Sequence, residues 1–146
     1  MLLKLRTEIT PLFSHTAVNN RFLRIALALA YTALLTLVLV QSSAQPVIGP
    51  VAPREYNLAW EILLTIGHLV GFSLLVLMIW SALTTVTSPV RSLIIAVIFA
   101  CLLGLITELL QTLVPDRSSS LFDLACDWGV AFAVAYFIDR QTRISA

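Results

Sequence analysis

Residues 108–127, ELLQTLVPDRSSSLFDLACD, decide how the chain is read. Glu108, Gln111, Arg117, Asp123 and Asp127 stand here beside long apolar runs. An acid at the centre of a membrane helix costs about 2.5–3.5 kcal/mol on insertion scales, and less towards the helix ends. Ionisable groups held in such segments point to a functional site. The stretch reads as the end of one membrane helix, a polar turn over 115–121, and the start of the next.

The totals support a membrane setting. Of 146 residues, 59% are hydrophobic and 12% charged, and the mean hydropathy is +0.95. A soluble domain carries about 25% charged residues. Half that value, with long uncharged runs, puts the chain in the membrane class. The length suits four spanning helices of about 20 residues each. A net charge of +1 creates no field that would draw nucleic acid. Cys101 and Cys126 fall in apolar segments at different depths, which favours structural thiols over a disulfide.

The apolar runs place transmembrane helices at about 22–40, 62–83, 92–114 and 122–138. Residues 1–21 form a cytoplasmic or interfacial tail, in which Leu2, Leu3, Leu5 and Ile9 could make a short interfacial turn before Pro11. The first run is longer than the 7–15-residue core of a signal peptide, so it reads as a retained helix. The loop after it holds Pro46, Gly49, Pro50 and Pro53, and Trp60 follows where an interfacial aromatic belongs. Pro89 marks the turn between the second and third helices. Residues 139–146 form the closing tail.

Basic residues set the orientation. With four spans, Lys4, Arg6, Arg21, Arg24, Arg91, Arg140 and Arg143 share one side, and Arg54 and Arg117 take the other. The expected architecture is an all-α, antiparallel four-helix bundle with both termini in the cytoplasm. The loops at 41–61 and 115–121 then face outward.

Depth draws the polar residues together. At about 1.5 Å of rise per residue, His68 and Glu108 each lie about 9 Å below the outer surface, and Asp127 about 7–8 Å below it. Gln111, Arg117 and Asp123 lie above that level, at the mouth. Glu108 and Gln111 are three apart, and Asp123 and Asp127 four apart, so each pair shares a helix face. Gly104, four before Glu108, permits close helix packing. Arg117 can pair with one acid and a protonated His68 with another. Each residue also has a plainer use. His68 could be a bonded packing residue, Glu108 an interhelical strut, Asp123 the cap of the fourth helix and Arg117 an interfacial anchor.

His68, followed by ITELLQTLVPDRSSSLFDLACDWG, resembles the VanZ-like family of small bacterial membrane proteins. The family pattern has a His early in one helix and a Glu with a Gln three later at the end of another. An Arg in a short turn follows, then an Asp and, four on, an Asn before a small residue. Glu108, Gln111, Arg117, Asp123, Asp127 and Gly129 occupy those positions, and the likeness covers about residues 60–138. Asp127 stands in place of the Asn, and Thr65 where a Lys often precedes the His. The resemblance implies a multi-pass protein of the bacterial inner membrane.

Three functions are consistent with these residues. The leading expectation is a binding module. His68, Glu108, Gln111, Arg117, Asp123 and Asp127 would line an outward cup for a polar head group or envelope component, with membrane lipids as partners. Arg117 suits a phosphate or carboxylate, and the acids and Gln suit hydroxyls, amines or a cation. The second is an accessory subunit of a larger membrane complex. The third is an intramembrane hydrolase or transferase on a lipid-linked substrate, with His68 as base and Glu108 or Asp127 as acid. The chain has no HExxH spacing and no nucleophile motif, so neither a metal nor another cofactor is expected, and catalysis ranks behind binding.

Overall fold

The computed structural model describes the backbone of residues 2–40, 58–114 and 120–144, and the side chains of 20–40, 62–114 and 120–144. Within them lie four helices: α1 (Leu2–Val40), α2 (Leu58–Leu83), α3 (Pro89–Gln111) and α4 (Leu121–Ile144). Each contains a stretch long and apolar enough to cross a membrane: Asn20–Val40, Ile62–Leu83, Pro89–Gln111 and Leu121–Ile144. These stretches have 21 to 24 residues, enough to match a hydrocarbon core of about 30 Å.

Several helix boundaries differ from the hydropathy reading, α2 for one beginning at Leu58 rather than 62. α1 begins at Leu2 rather than near residue 22, and its backbone stays helical through Pro11, so no separate interfacial turn precedes it. α3 begins at Pro89 rather than 92, because the fixed φ of proline suits the first helical position. Ser92 N–H bonds the Ser88 carbonyl at 2.9 Å and starts the ladder. α3 ends at Gln111, and Leu113 N–H and Val114 N–H bond the Leu110 and Gln111 carbonyls in a tightened turn. α4 continues to Ile144, past 138, with Arg143 Nε on Asp139 Oδ2 at 2.8 Å, one turn apart. Hydropathy marks where lipid-compatible sequence stops, and a polar helix continues beyond that point.

α2 and α3 form the middle of the bundle. α2 packs on α1, α3 and α4, and α3 also packs on α1 and α4. Among the described residues α1 and α4 have no Cα pair within 8 Å of each other. Phe72, Leu75 and Val76 of α2 are fully buried against Ala96 and Ala100 of α3 and Ala131 of α4. α3 makes this possible with small residues every fourth position: Ser92, Ala96, Ala100 and Gly104 are all buried. Such a stripe lets helix backbones approach closely in lipid. Its next step is Glu108. Large apolar side chains such as Leu37, Leu63, Leu102 and Phe132 point outward, as helices facing lipid tails allow.

Polar contacts tie the pairs. Tyr31 of α1 donates its hydroxyl to the Gly71 carbonyl of α2 at 3.0 Å. Arg24 reaches Ser81 Oγ at 3.4 Å. Trp128 of α4 donates its indole N–H to the Cys101 carbonyl of α3 at 3.0 Å. Cys101 and Cys126 are free, half-buried thiols.

Candidate functional site

His68 lies on the inner face of α2, one turn before Phe72. The two rings stack with centroids 6.4 Å apart and planes 11° apart. This contact fixes the plane of the imidazole. His68 Nδ1 meets Asp127 Oδ1 of α4 at 3.0 Å. The Asp127 side chain is wholly buried and that of His68 is 8% exposed. The contact orients the imidazole with Nδ1 towards Asp127 and Nε2 directed away from it. Asp127 Oδ2 lies over Gly104, where an added Cβ would come 3.5 Å from that oxygen and 3.5 Å from Phe72 Cε1.

Glu108 sits one turn above Gly104 on the same stripe of α3. Its Oε2 accepts the Ser120 backbone N–H at 2.7 Å. Ser120 Oγ in turn accepts the Asp123 N–H at 3.2 Å. Ser120 is therefore the N-cap of α4, with Asp123 three residues on. In a capping box the acid three residues on would reach back to the cap N–H. Here that N–H is satisfied by Glu108 from the preceding helix. Asp123 supplies a negative charge in the first turn of α4, where the helix dipole favours it. The cap is thus Ser120 rather than Asp123.

Gln111 belongs to a different contact. Its side chain is 2% exposed, and Nε2 donates to the Leu39 carbonyl at 3.0 Å. Leu39 is the penultimate residue of α1, so its carbonyl has no partner within the helix. Gln111 therefore docks the end of α1 onto α3 rather than lining the mouth with the acids. Thr107, also buried, donates its hydroxyl to the Gly104 and Leu103 carbonyls of its own helix.

Of the six residues singled out from sequence, His68, Glu108, Asp123 and Asp127 come together, while Gln111 turns to α1. Asp123 lies close enough to exert a Coulombic effect on His68, Glu108 and Asp127. Arg117 and the side chain of Trp60 lie outside the described residues. Gly129 has open space around its Cα, and Thr65 is half-buried one turn before His68. Phe72 and the Ser120 N–H are additional parts of the site, and the Leu39 carbonyl is the partner of Gln111 outside it. Phe72 carries a signal in its i+4 spacing from His68, and Ser120 in its place before an apolar run. The Leu39 carbonyl has no sequence signature.

Two acceptors are left over. Among the described residues, Glu108 Oε1 and Asp127 Oδ2 are shielded from solvent and accept no hydrogen bond. Among the same residues, no group of three or more His, Cys, Asp and Glu side chains is arranged to hold a metal ion. The arrangement can therefore orient an imidazole, fix a helix end and offer two desolvated carboxyl oxygens to donors. Comparison with protein-family models, with curated proteins and with solved structures returned no match.

Proposed function

We propose that this chain is a VanZ-like integral protein of the bacterial inner membrane that binds a polar head group or cell-envelope component in an outward-facing cluster. The observation that carries the reading is the pair of shielded, unpartnered carboxyl oxygens, Glu108 Oε1 and Asp127 Oδ2. Leaving a buried acceptor unsatisfied costs about 1–3 kcal/mol, and native structures keep few such groups without a reason. A bound donor is such a reason. In this reading Arg117 takes the phosphate or carboxylate of the same head group.

The proposed topology is an antiparallel bundle with both termini in the cytoplasm. In support, ascending positions of α1 meet descending positions of α2: Arg24 reaches Ser81, and Tyr31 reaches Gly71. The excess of basic residues on the side of the 84–91 turn orients it. The test is a lipid-binding screen on Glu108→Gln and Arg117→Ala. The expected outcome is loss of retention of at least one head group. A profile identical to that of the parent for every head group would end the reading.

One observation favours a second reading, an intramembrane hydrolase or transferase acting on a lipid-linked substrate. With the Nδ1 proton donated to Asp127, Nε2 would be the ring nitrogen left to accept a proton, the arrangement of a general base. Turnover of a lipid-linked envelope substrate that disappears in His68→Asn would establish it. Binding without turnover favours the first reading.

A further inference from the structure

The two unpartnered oxygens come from adjacent helices, α3 and α4, and their surroundings are one-sided. Among the described residues most donors nearby are already committed, the Ser120 hydroxyl, which accepts the Asp123 N–H, being an exception. Ser120 N–H serves Glu108 Oε2, and His68 Nδ1 serves Asp127 Oδ1. The Thr107 hydroxyl, the Gln111 amide and the Trp128 indole each bond a backbone carbonyl. Charge is one-sided as well. Asp123 adds a third carboxyl to the field of Glu108 and Asp127, against the single imidazole of His68. The described part of the cluster has more carboxyl oxygens than donors and cations to meet them.

We propose that the head group bound here carries a primary ammonium, which donates to Glu108 Oε1 and Asp127 Oδ2 with Asp123 as a further counter-charge. This rests on the binding reading above and names the chemistry of its ligand. An ammonium brings three donors and a full positive charge in a compact group. A hydroxyl brings one donor and no charge. A quaternary nitrogen brings charge but no donor. A hard divalent cation asks for six or more oxygens, which two carboxyl oxygens on separate helices do not supply. Room for a compact donor at Asp127 Oδ2 comes from Gly104, whose missing Cβ would lie 3.5 Å from that oxygen.

The experiment uses the full chain in detergent micelles. It is offered phosphatidylethanolamine, phosphatidylcholine and phosphatidylglycerol with identical acyl chains, and retained lipid is read by native mass spectrometry. The expected result is retention of phosphatidylethanolamine over phosphatidylcholine by about tenfold or more, the worth of one charge-assisted hydrogen bond. That preference falls away in Glu108→Gln and in Asp127→Asn. Displacement of the bound lipid by soluble phosphoethanolamine, and not by phosphocholine, supports the same assignment from the free head group. Equal retention of the ethanolamine and choline lipids by the unaltered protein overturns the ammonium. If that equal retention still drops in Glu108→Gln, head-group binding stands without it. Retention of every lipid unchanged in both variants overturns the two together. The comparison on the unaltered protein needs no variant to fold.

Discussion

The His68–Asp127 contact makes a prediction whose size can be worked from the geometry. The pair spans α2 and α4 at 3.0 Å, with the Asp127 side chain fully buried and that of His68 8% exposed. A hydrogen bond to a charged group in a soluble protein contributes about 1.5–3 kcal/mol. Interhelical bonds in a membrane average about 0.6 kcal/mol and reach about 1.7, because the helices find other partners in the unfolded state. Asp127 has no water to fall back on, so the coupling should lie near the top of that range, at about 1.5 kcal/mol. His68→Ala, Asp127→Ala and the double variant, unfolded by SDS titration in mixed micelles, give it directly. Each single variant should lose about 2–3 kcal/mol, since the surviving partner stays buried and unpaired. Asp127→Asn keeps an acceptor for His68 Nδ1 and sheds a buried carboxyl, so it should stay within about 1 kcal/mol of the parent. A coupling below about 0.3 kcal/mol, or an Asn variant as unstable as the Ala variant, would refute the reasoning.

Other perturbations separate the remaining contacts. Gln111→Ala should cost about 1–2 kcal/mol by freeing the Leu39 carbonyl, and hydrogen exchange should rise at the end of α1 but not in α4. Ser120→Ala removes the cap hydroxyl and should cost about 1 kcal/mol. Ser120→Pro also removes the N–H that Glu108 accepts and should cost about 1–3 kcal/mol more, both read in the same SDS titration. Gly104→Ala should fold, since its Cβ meets Asp127 and Phe72 at ordinary contact distance. It should nevertheless weaken head-group retention, because the methyl fills the space at Asp127 Oδ2. Gly104→Leu should lose about 2 kcal/mol or more in thermal unfolding through overpacking.

The four spans were legible because lipid writes its requirement into every residue of a run. Where the helices continue outside those runs, nothing apolar marks them, so the first 20 residues of α1 and the end of α4 read as tails. Depth counting brought His68 and Asp127 to one level because helix rise is nearly constant. It said nothing about which atom each would meet. Glu108 was legible as a buried acid. Its partner, the backbone N–H of Ser120, exists only once α4 has formed. Gln111 looked like a member of the acidic mouth because it shares a face with Glu108. Three residues along, however, that face turns towards α1, whose terminal carbonyl is identical in every sequence. Contacts to side chains leave a trace in residue type, and contacts to backbone do not.

The bond that Glu108 accepts from the Ser120 N–H, at the start of α4, has a consequence for how the protein is made. The α4 span is the least apolar of the four, at a mean hydropathy of 1.6 against 2.7 for α3, and it carries Asp123 and Asp127 in its first two turns. On its own it is the weakest of the four candidates for membrane insertion. By the time α4 leaves the ribosome, His68 and Glu108 have already been synthesised on α2 and α3. They are placed to receive its buried acid and its helix end. The cluster is thus positioned to serve as a template for the last helix. Chains altered at Glu108 or His68 would be expected to fail first as unfinished three-helix intermediates, with α4 left on the membrane surface.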